Sequence, residues 1–207
     1  MQSTKVLSRG YFLNTIYVAE VEEKMDKYIN TPLTEDKVKE LKAGDYVYLS
    51  GTIYTARDAA HKRMTEELQT SKSFPFEMKD QVIYYLGPTP NRQGQVIGSA
   101  GPTTSSRMDK YAPALLDMGL KGMVGKGKRS DLVVDSMKKN CAVYFAAVGG
   151  AGALLSKCIK KSEVIAYDDL GTEAIRKLEV ENLPVITVID CYGNDLYQTA
   201  VKDYEIK

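Results

Sequence analysis

A chain of 207 residues, 43% hydrophobic and 27% charged, can bury a sizeable core and is ordinary for a soluble globular protein. A net charge of +1, with no basic run beyond "KGKR" and "KCIKK", argues against nucleic-acid binding. No apolar run approaches the roughly 20 residues that span a bilayer, and the N-terminus lacks the apolar core of a signal peptide, so a cytoplasmic protein is expected.

Residues 1–27 carry apolar side chains but few turn signals, and read as an extra strand or an arm onto a partner. The grammar becomes regular after that. Thr34 is an N-cap followed by Glu35 and Asp36, and Gly44 ends a short helix. "DYVYLSG" is β-branched and aromatic and predicts a strand. Thr55 then reads as the cap of a helix running to about Gln69, with Asp58 approximating a capping box. "QVIYYLGP" predicts a strand and "NRQGQVIGSAGP" a hairpin-like return. A helix is expected from about Thr104 to Met118, closed by Gly119, then a short strand and glycine loop in "KGMVGKG". "RSDLVVDSMKKN" predicts a helix and "CAVYFAAVGGAG" a buried strand. "ALLSKCIKK" predicts a helix, "EVIAYDD" a strand, "GTEAIRKLEV" a helix, and "LPVITVIDCYGND" the last strand and its turn. Strands and helices mixed in this way predict a layered α/β protein.

Two predicted helices carry an arginine in the first turn, Arg57 and Arg107, each beside a threonine that could cap. A helix N-terminus already carries partial positive charge, so a cation there is mildly unfavourable. The repeated pattern points to an anion filling the space, because helix N-termini bind carboxylate and phosphate and arginine adds a bidentate grip. Lys126, between Gly125 and Gly127 after a strand, extends it. The plainer alternatives are an Arg57 paired with Asp58 or another acid, hydroxyls at Thr103, Thr104, Ser105 and Ser106 that only cap, and a solvated Lys126.

Two other motifs are weak. "GGAG" lacks both the GxxxxGK[ST] and the GxGxxG spacing. His61, the single histidine, shares a helix face with Arg57 and suits either a proton shuttle or a packing role. Three cysteines, Cys141, Cys158 and Cys191, are odd in number and widely spaced, which excludes a disulfide scaffold. They are either buried thiols or ligands of an iron–sulfur cluster.

"SGTIYTARDAAHKR", "GPTTSSRMDKY", "GKGKRS", "AVGGAGAL" and "DLGTEAIRKLEVENLPVITVIDCYGND", in this order, resemble the C-terminal region of class I iron–sulfur hydro-lyases, the oxygen-sensitive fumarases and the L-tartrate dehydratases. In two-subunit members that region is a separate beta subunit. The resemblance covers about residues 28–198. It implies a swivelling β/β/α domain over residues 28–207, with residues 1–27 as an extension. It implies a [4Fe-4S] cluster whose cysteines belong to an alpha subunit, which makes Cys141, Cys158 and Cys191 ordinary thiols. It gives the anion site an identity, a dicarboxylate held by Arg57, Thr104, Arg107 and Lys126. Thr103 matches the family residue assigned as the base that removes the carbon-bound proton. "KGKRS" and "LGTEAIRKLEVENLP" look closer to fumarases than to tartrate dehydratases. Lys128 and Ser106 depart from the fumarase pattern, where asparagine and glycine are frequent. The expectation is therefore a fumarate hydratase beta subunit in a hetero-oligomer, inactive without its alpha partner. The alternatives are a tartrate dehydratase beta subunit and a dicarboxylate-binding module without chemistry of its own.

Overall fold

The computed structural model describes residues 26–70 and 74–204. Seven strands form one sheet: β1 Lys27–Asn30, β2 Tyr46–Thr55, β3 Val82–Tyr84, β4 Gly122–Gly125, β5 Val143–Ala146, β6 Ile159–Ala166 and β7 Ile175–Ile189. Strands β1 to β5 are parallel neighbours in chain order. The long β7 runs antiparallel to β5 and also to β2, so β2, β3, β4, β5 and β7 close into a barrel. β6 pairs outside with the first part of β7. The barrel is strongly staggered. Thr55 of β2 pairs with Tyr84, which pairs with Val124, then Phe145, then Thr187 of β7. The circuit returns to β2 at its other end, where Tyr46 pairs with Ile186. Such stagger lets few strands close with side chains filling the interior.

Alternation along the strands feeds two cores. Val47, Leu49, Ile53, Val82, Tyr84, Val124, Phe145, Leu178 and Val185 fill one cluster with the apolar residues of helix α1 (Glu35–Lys39). Their neighbours on the other pleat, Ile83, Tyr85, Met123 and Tyr144, meet three helices: α2 (Asp58–Gln69), α3 (Ala112–Asp117) and α4 (Asp131–Asn140). Short α5 (Gly152–Leu155) and C-terminal α6 (Leu196–Tyr204) complete the helices. The mixed α/β expectation holds. Among the described residues no helix is long and apolar enough to cross a membrane.

Several local expectations are corrected. "GTEAIRKLEV" is not a helix: its second half opens β7, and its first half ends a 3-10 helix at Asp168–Glu173. The spacing Ile175, Leu178 imitates a helical stripe, yet Leu178, Val180, Leu183 and Val185 face the barrel interior. A bulge opposite Leu49 and Gly51, with Asn182 at φ 51°, explains the break in alternation. "ALLSKCIKK" starts as α5 and a 3-10 turn, then becomes β6 at Ile159. The expected helix from Thr104 to Met118 splits into a 3-10 turn, Ser105–Met108, and α3. Pro113 lies in the first turn of α3, where its missing N–H is tolerated. "NRQGQVIGSAGP" forms no hairpin strand; it is held by a Leu86–Pro102 bridge, by the Tyr84 hydroxyl donating to Ala100 O at 2.6 Å, and by Ile97 and Ala100 in the barrel core. β1 and α6 lacked any strong signal. Most of the expected N-terminal extension, residues 1–25, lies outside the described residues.

Phe145, fully buried inside the barrel, sets a stability test. Phe145→Ala is expected to cost about 3–5 kcal/mol in urea unfolding. Leu132→Ala, at a side chain left 65% exposed, should change stability by less than about 0.5 kcal/mol.

Candidate active site

The C-terminal ends of β2, β3, β4 and β5 lie side by side, and ligands of open α/β sheets gather at such ends. Arg57 leaves β2 there and is itself the N-cap of α2. Thr55, expected to cap, is instead the last residue of β2. Its hydroxyl donates to Ala174 O (3.3 Å) and accepts from Arg176 N (3.0 Å), because β2 stays paired with β7 to its end. The α2 N-terminus is satisfied by a carboxylate from another element: Glu173 Oε2 accepts the Ala59 N–H at 2.7 Å. Glu173 also lies 3.3 Å from Arg57 Nη2.

Asp58 joins the two arginines. Arg57 Nε donates to Asp58 Oδ2 at 3.2 Å, and Arg107 Nε donates to Asp58 Oδ1 at 2.8 Å. Burial works to raise the Asp58 carboxyl. Hydrogen bonds from its own backbone N–H and from Arg57, with the charge of Arg107, outweigh burial and hold it below the usual carboxylate range. Arg107 sits in the 3-10 turn and not at a long helix N-terminus, and its side chain is 50% exposed. Its Nε is engaged by Asp58, while among the described residues its two terminal nitrogens meet no acceptor. They present a flat two-donor edge suited to a carboxylate.

Thr104 and Lys126 face each other in a parallel bridge. Ser105 N donates to Lys126 O (2.8 Å), and Lys126 N donates to Ser105 Oγ (3.1 Å). Thr103 N donates to Tyr85 O (2.8 Å), which lays the "PTT" segment along the end of β3. All five expected residues, Arg57, Thr103, Thr104, Arg107 and Lys126, therefore lie on one edge. Asp58 ties Arg57 to Arg107, the 3-10 turn carries Thr104 and Arg107, and the bridge ties Thr104 to Lys126.

Beneath this edge is a buried polar layer. Tyr144 Oη donates to Gly127 O at 2.8 Å. A carbonyl only accepts, so Ser105 Oγ is the donor in its 2.8 Å bond to Tyr144 Oη. Arg129, whose side chain is wholly buried, pairs with Asp109 at 2.7 Å and lies over the rings of Tyr85 and Tyr144. Burial pushes both tyrosine hydroxyls up, which keeps them protonated donors.

His61 is buried and edge-on to Tyr85. Its Nδ1 lies 3.0 Å from Arg57 O, so Nδ1 carries the proton, and its buried Nε2 has no partner among the described residues. Burial pushes its pKa down to about 4. A neutral imidazole sealed from solvent packs the underside of α2 and is no proton shuttle at neutral pH.

Sequence reasoning missed Asp58 as the link, along with Glu173, Asp109, Arg129, Tyr85, Tyr144 and Gly87, and it did not see how Ser105 and Gly125 fit together. A Cβ on Gly87 would lie 2.7 Å from Arg57 Nη1, and one on Gly125 would collide with Ser105 Oγ. Gly125 thus makes room for Ser105 and not for a ligand. A signal was present for Gly87, a glycine directly behind a strand. None existed for Glu173, which the chain brings from more than a hundred residues away.

The three thiols do not fit a cluster site. Cys141 ends α4 at the opposite edge of the barrel, Cys191 follows β7 there, and Cys158 precedes β6. Among the described residues no three cysteine, histidine or carboxylate side chains gather at metal-binding distance. Burial pushes the Cys191 thiol up to about 11 and raises Cys158 too, which disfavours the thiolate a metal requires.

The buried imidazole makes stability depend on pH. His61 ionises near 6.5 when unfolded and near 4 when folded, so the unfolded chain binds more protons between those values. Its contribution is fully present above pH 6.5 and is lost as pH falls toward 4. Urea unfolding should show a loss of roughly 3 kcal/mol across that window. The same titration of His61→Gln should lack that component, and an unchanged slope would place His61 in solvent.

A model of the family described as fumarase C-terminus matches residues 11–200. The chain is 37% identical over 182 residues to the putative L(+)-tartrate dehydratase subunit beta of Methanocaldococcus jannaschii, covering 85% of this chain and 93% of that protein. It is 38% identical over 174 residues to the aerobic class I fumarate hydratase of Escherichia coli K12, covering 82% of this chain and 32% of that one. It is 41% identical over 152 residues to fumarate hydratase 1, mitochondrial, of Leishmania major, covering 72% and 28%. The chain thus spans about a third of the fumarate hydratases it matches and nearly all of the archaeal subunit. By the extent of these matches, the chain belongs to the fumarase C-terminus family.

Proposed function

We propose that this chain is the beta subunit of a heteromeric class I fumarate hydratase, a hydro-lyase that interconverts fumarate and L-malate, and that it supplies the dicarboxylate-binding half of the active site. The observation that carries the reading is the shared edge of Arg57, Thr104, Arg107 and Lys126, where the terminal nitrogens of Arg107 meet no acceptor among the described residues. Arg107 grips one carboxylate through its two terminal nitrogens, and the Lys126 ammonium and Thr104 hydroxyl complete the grip. Arg57, held by Asp58 and Glu173, adds positive potential and fixes Asp58 in place. Removing a proton from the carbon next to a carboxylate builds enolate-like charge on that carboxylate, and cations already in place stabilise it. Thr103 is assigned the carbon-bound proton, its hydroxyl activated by the cations around it.

The resemblance assigns a [4Fe-4S] cluster to the alpha subunit, where it would act as a Lewis acid on the substrate hydroxyl. Burial raises the Cys158 and Cys191 thiols, which supports keeping the cluster off this chain. Residues 28–207 are proposed to move as a swivelling β/β/α domain that closes this edge over the partner's half-site, with residues 1–27 as an extension. The complex is proposed to work in the cytoplasm. A second reading, the beta subunit of an L-tartrate dehydratase, is favoured by the near full-length match to the archaeal subunit.

An anaerobic assay tests both readings. The chain alone should be inactive, and the chain with a cluster-loaded alpha subunit should convert malate to fumarate. Activity on tartrate instead would select the second reading. Full-rate dehydration by the chain alone would contradict both. In the active mixture, Arg107→Lys should lower kcat/KM about 10–100-fold, because lysine cannot reproduce the two-nitrogen grip, while leaving the thermal midpoint of this half-exposed site unchanged.

A further inference from the structure

Arg129 lies outside the expected site, yet its side chain is wholly buried and its guanidinium is in use on several sides. Nε donates to Asp109 Oδ1 at 2.7 Å, and the second oxygen of that carboxylate accepts the Ser130 N–H at 2.7 Å. Nη1 donates to Tyr85 Oη at 3.3 Å. The guanidinium carbon lies 5.3 Å from the Tyr85 ring centroid and 5.2 Å from that of Tyr144. Nη2 is buried and, among the described residues, has no hydrogen-bond partner. A charge so placed costs desolvation that an apolar side chain would avoid, so stability alone is a poor reason for it.

The positions of the two ion-pair partners supply a reason. Asp109 ends the turn that carries Thr104 and Arg107, and Arg129 ends the loop that begins at Lys126. The pair is a strut between the two segments that must present the cations. The tyrosines it packs between also serve both segments. Tyr85 O holds Thr103 N, and Tyr144 Oη links Ser105 Oγ to Gly127 O. We propose that Arg129 is a positioning residue for the dicarboxylate site, setting the distance between the Thr104–Arg107 turn and the Lys126 loop through Asp109 without touching substrate. This rests on the dicarboxylate reading for its catalytic consequence and on geometry alone for the coupling of the two segments.

The test uses Arg129→Lys, which keeps the charge and loses the fork, with Asp109→Asn as the second variant should the first fail to fold. Amide exchange is followed in the full chain, and kcat and KM for malate in the complex with the alpha subunit. The expected result is exchange at Ser105 and Lys126 at least about tenfold faster, with β5 amides unchanged. KM should rise about tenfold or more while kcat falls less, since misplaced binding groups weaken the grip before the chemistry. Exchange unchanged at Ser105 and Lys126 in a folded variant would overturn the proposal. So would acceleration spread equally over the barrel, which would mark a general structural role. A wild-type complex without hydro-lyase activity would sink the functional reading, and the exchange result would still decide whether Arg129 couples the two segments.

Discussion

The pairing of β7 with both β2 and β5 is the constraint on which the rest depends. It turns a parallel run of strands into a closed, staggered barrel. Closure removes two sheet edges and gives the interior a single filling of side chains. It also has a local consequence. Because β7 begins opposite the end of β2, the residues just before β7 arrive at the site edge, and Glu173 reaches the first turn of α2 and Arg57. The fold thus delivers a second acidic residue, beside Asp58, to an edge that carries three cations.

That acidity gives the site its character. Arg57, Arg107 and Lys126 bring three positive charges against the two carboxylates of Asp58 and Glu173. The acids orient the arginines in advance and leave a modest positive excess for a ligand. Exposed pairs of this kind add little stability, about 0–1 kcal/mol each, so their value lies in geometry. The buried layer below works differently. Ser105, Tyr144, Tyr85, Arg129 and Asp109 are mostly out of solvent, where hydrogen bonds hold their positions more firmly. A buried underside with cations held above it by carboxylates suits the half-site proposed here.

Much of this was legible in the sequence, unevenly. Three of the parallel strands, β2, β3 and β5, read well because "DYVYLSG", "QVIYYLGP" and "CAVYFAAV" are β-branched and aromatic and end in glycine or small residues. The shared edge of Arg57, Arg107 and Lys126 was legible because each cation stands behind a strand or in the turn that follows one. The failures have physical causes. The opening of β7 looked helical since its residues are long and charged and the bulge at Asn182 hides the alternation that continues into "LPVITVI". Thr55 looked like a cap because a threonine before a helix usually is one, whereas pairing with β7 claimed its hydroxyl. His61 offered two roles, and only its burial against Tyr85 decides for packing. Arg129 in "KGKRS" drew no reading of its own, since nothing local announces that Asp109 will meet it.

The most direct test of the central claim is an anaerobic crystal structure of the assembled two-subunit complex with a bound dicarboxylate. The account predicts one carboxylate within hydrogen-bond distance of the terminal nitrogens of Arg107 and of Lys126 Nζ, with Arg129 out of contact beneath. A dicarboxylate bound at the cluster with no atom reaching Arg107 or Lys126 would contradict it.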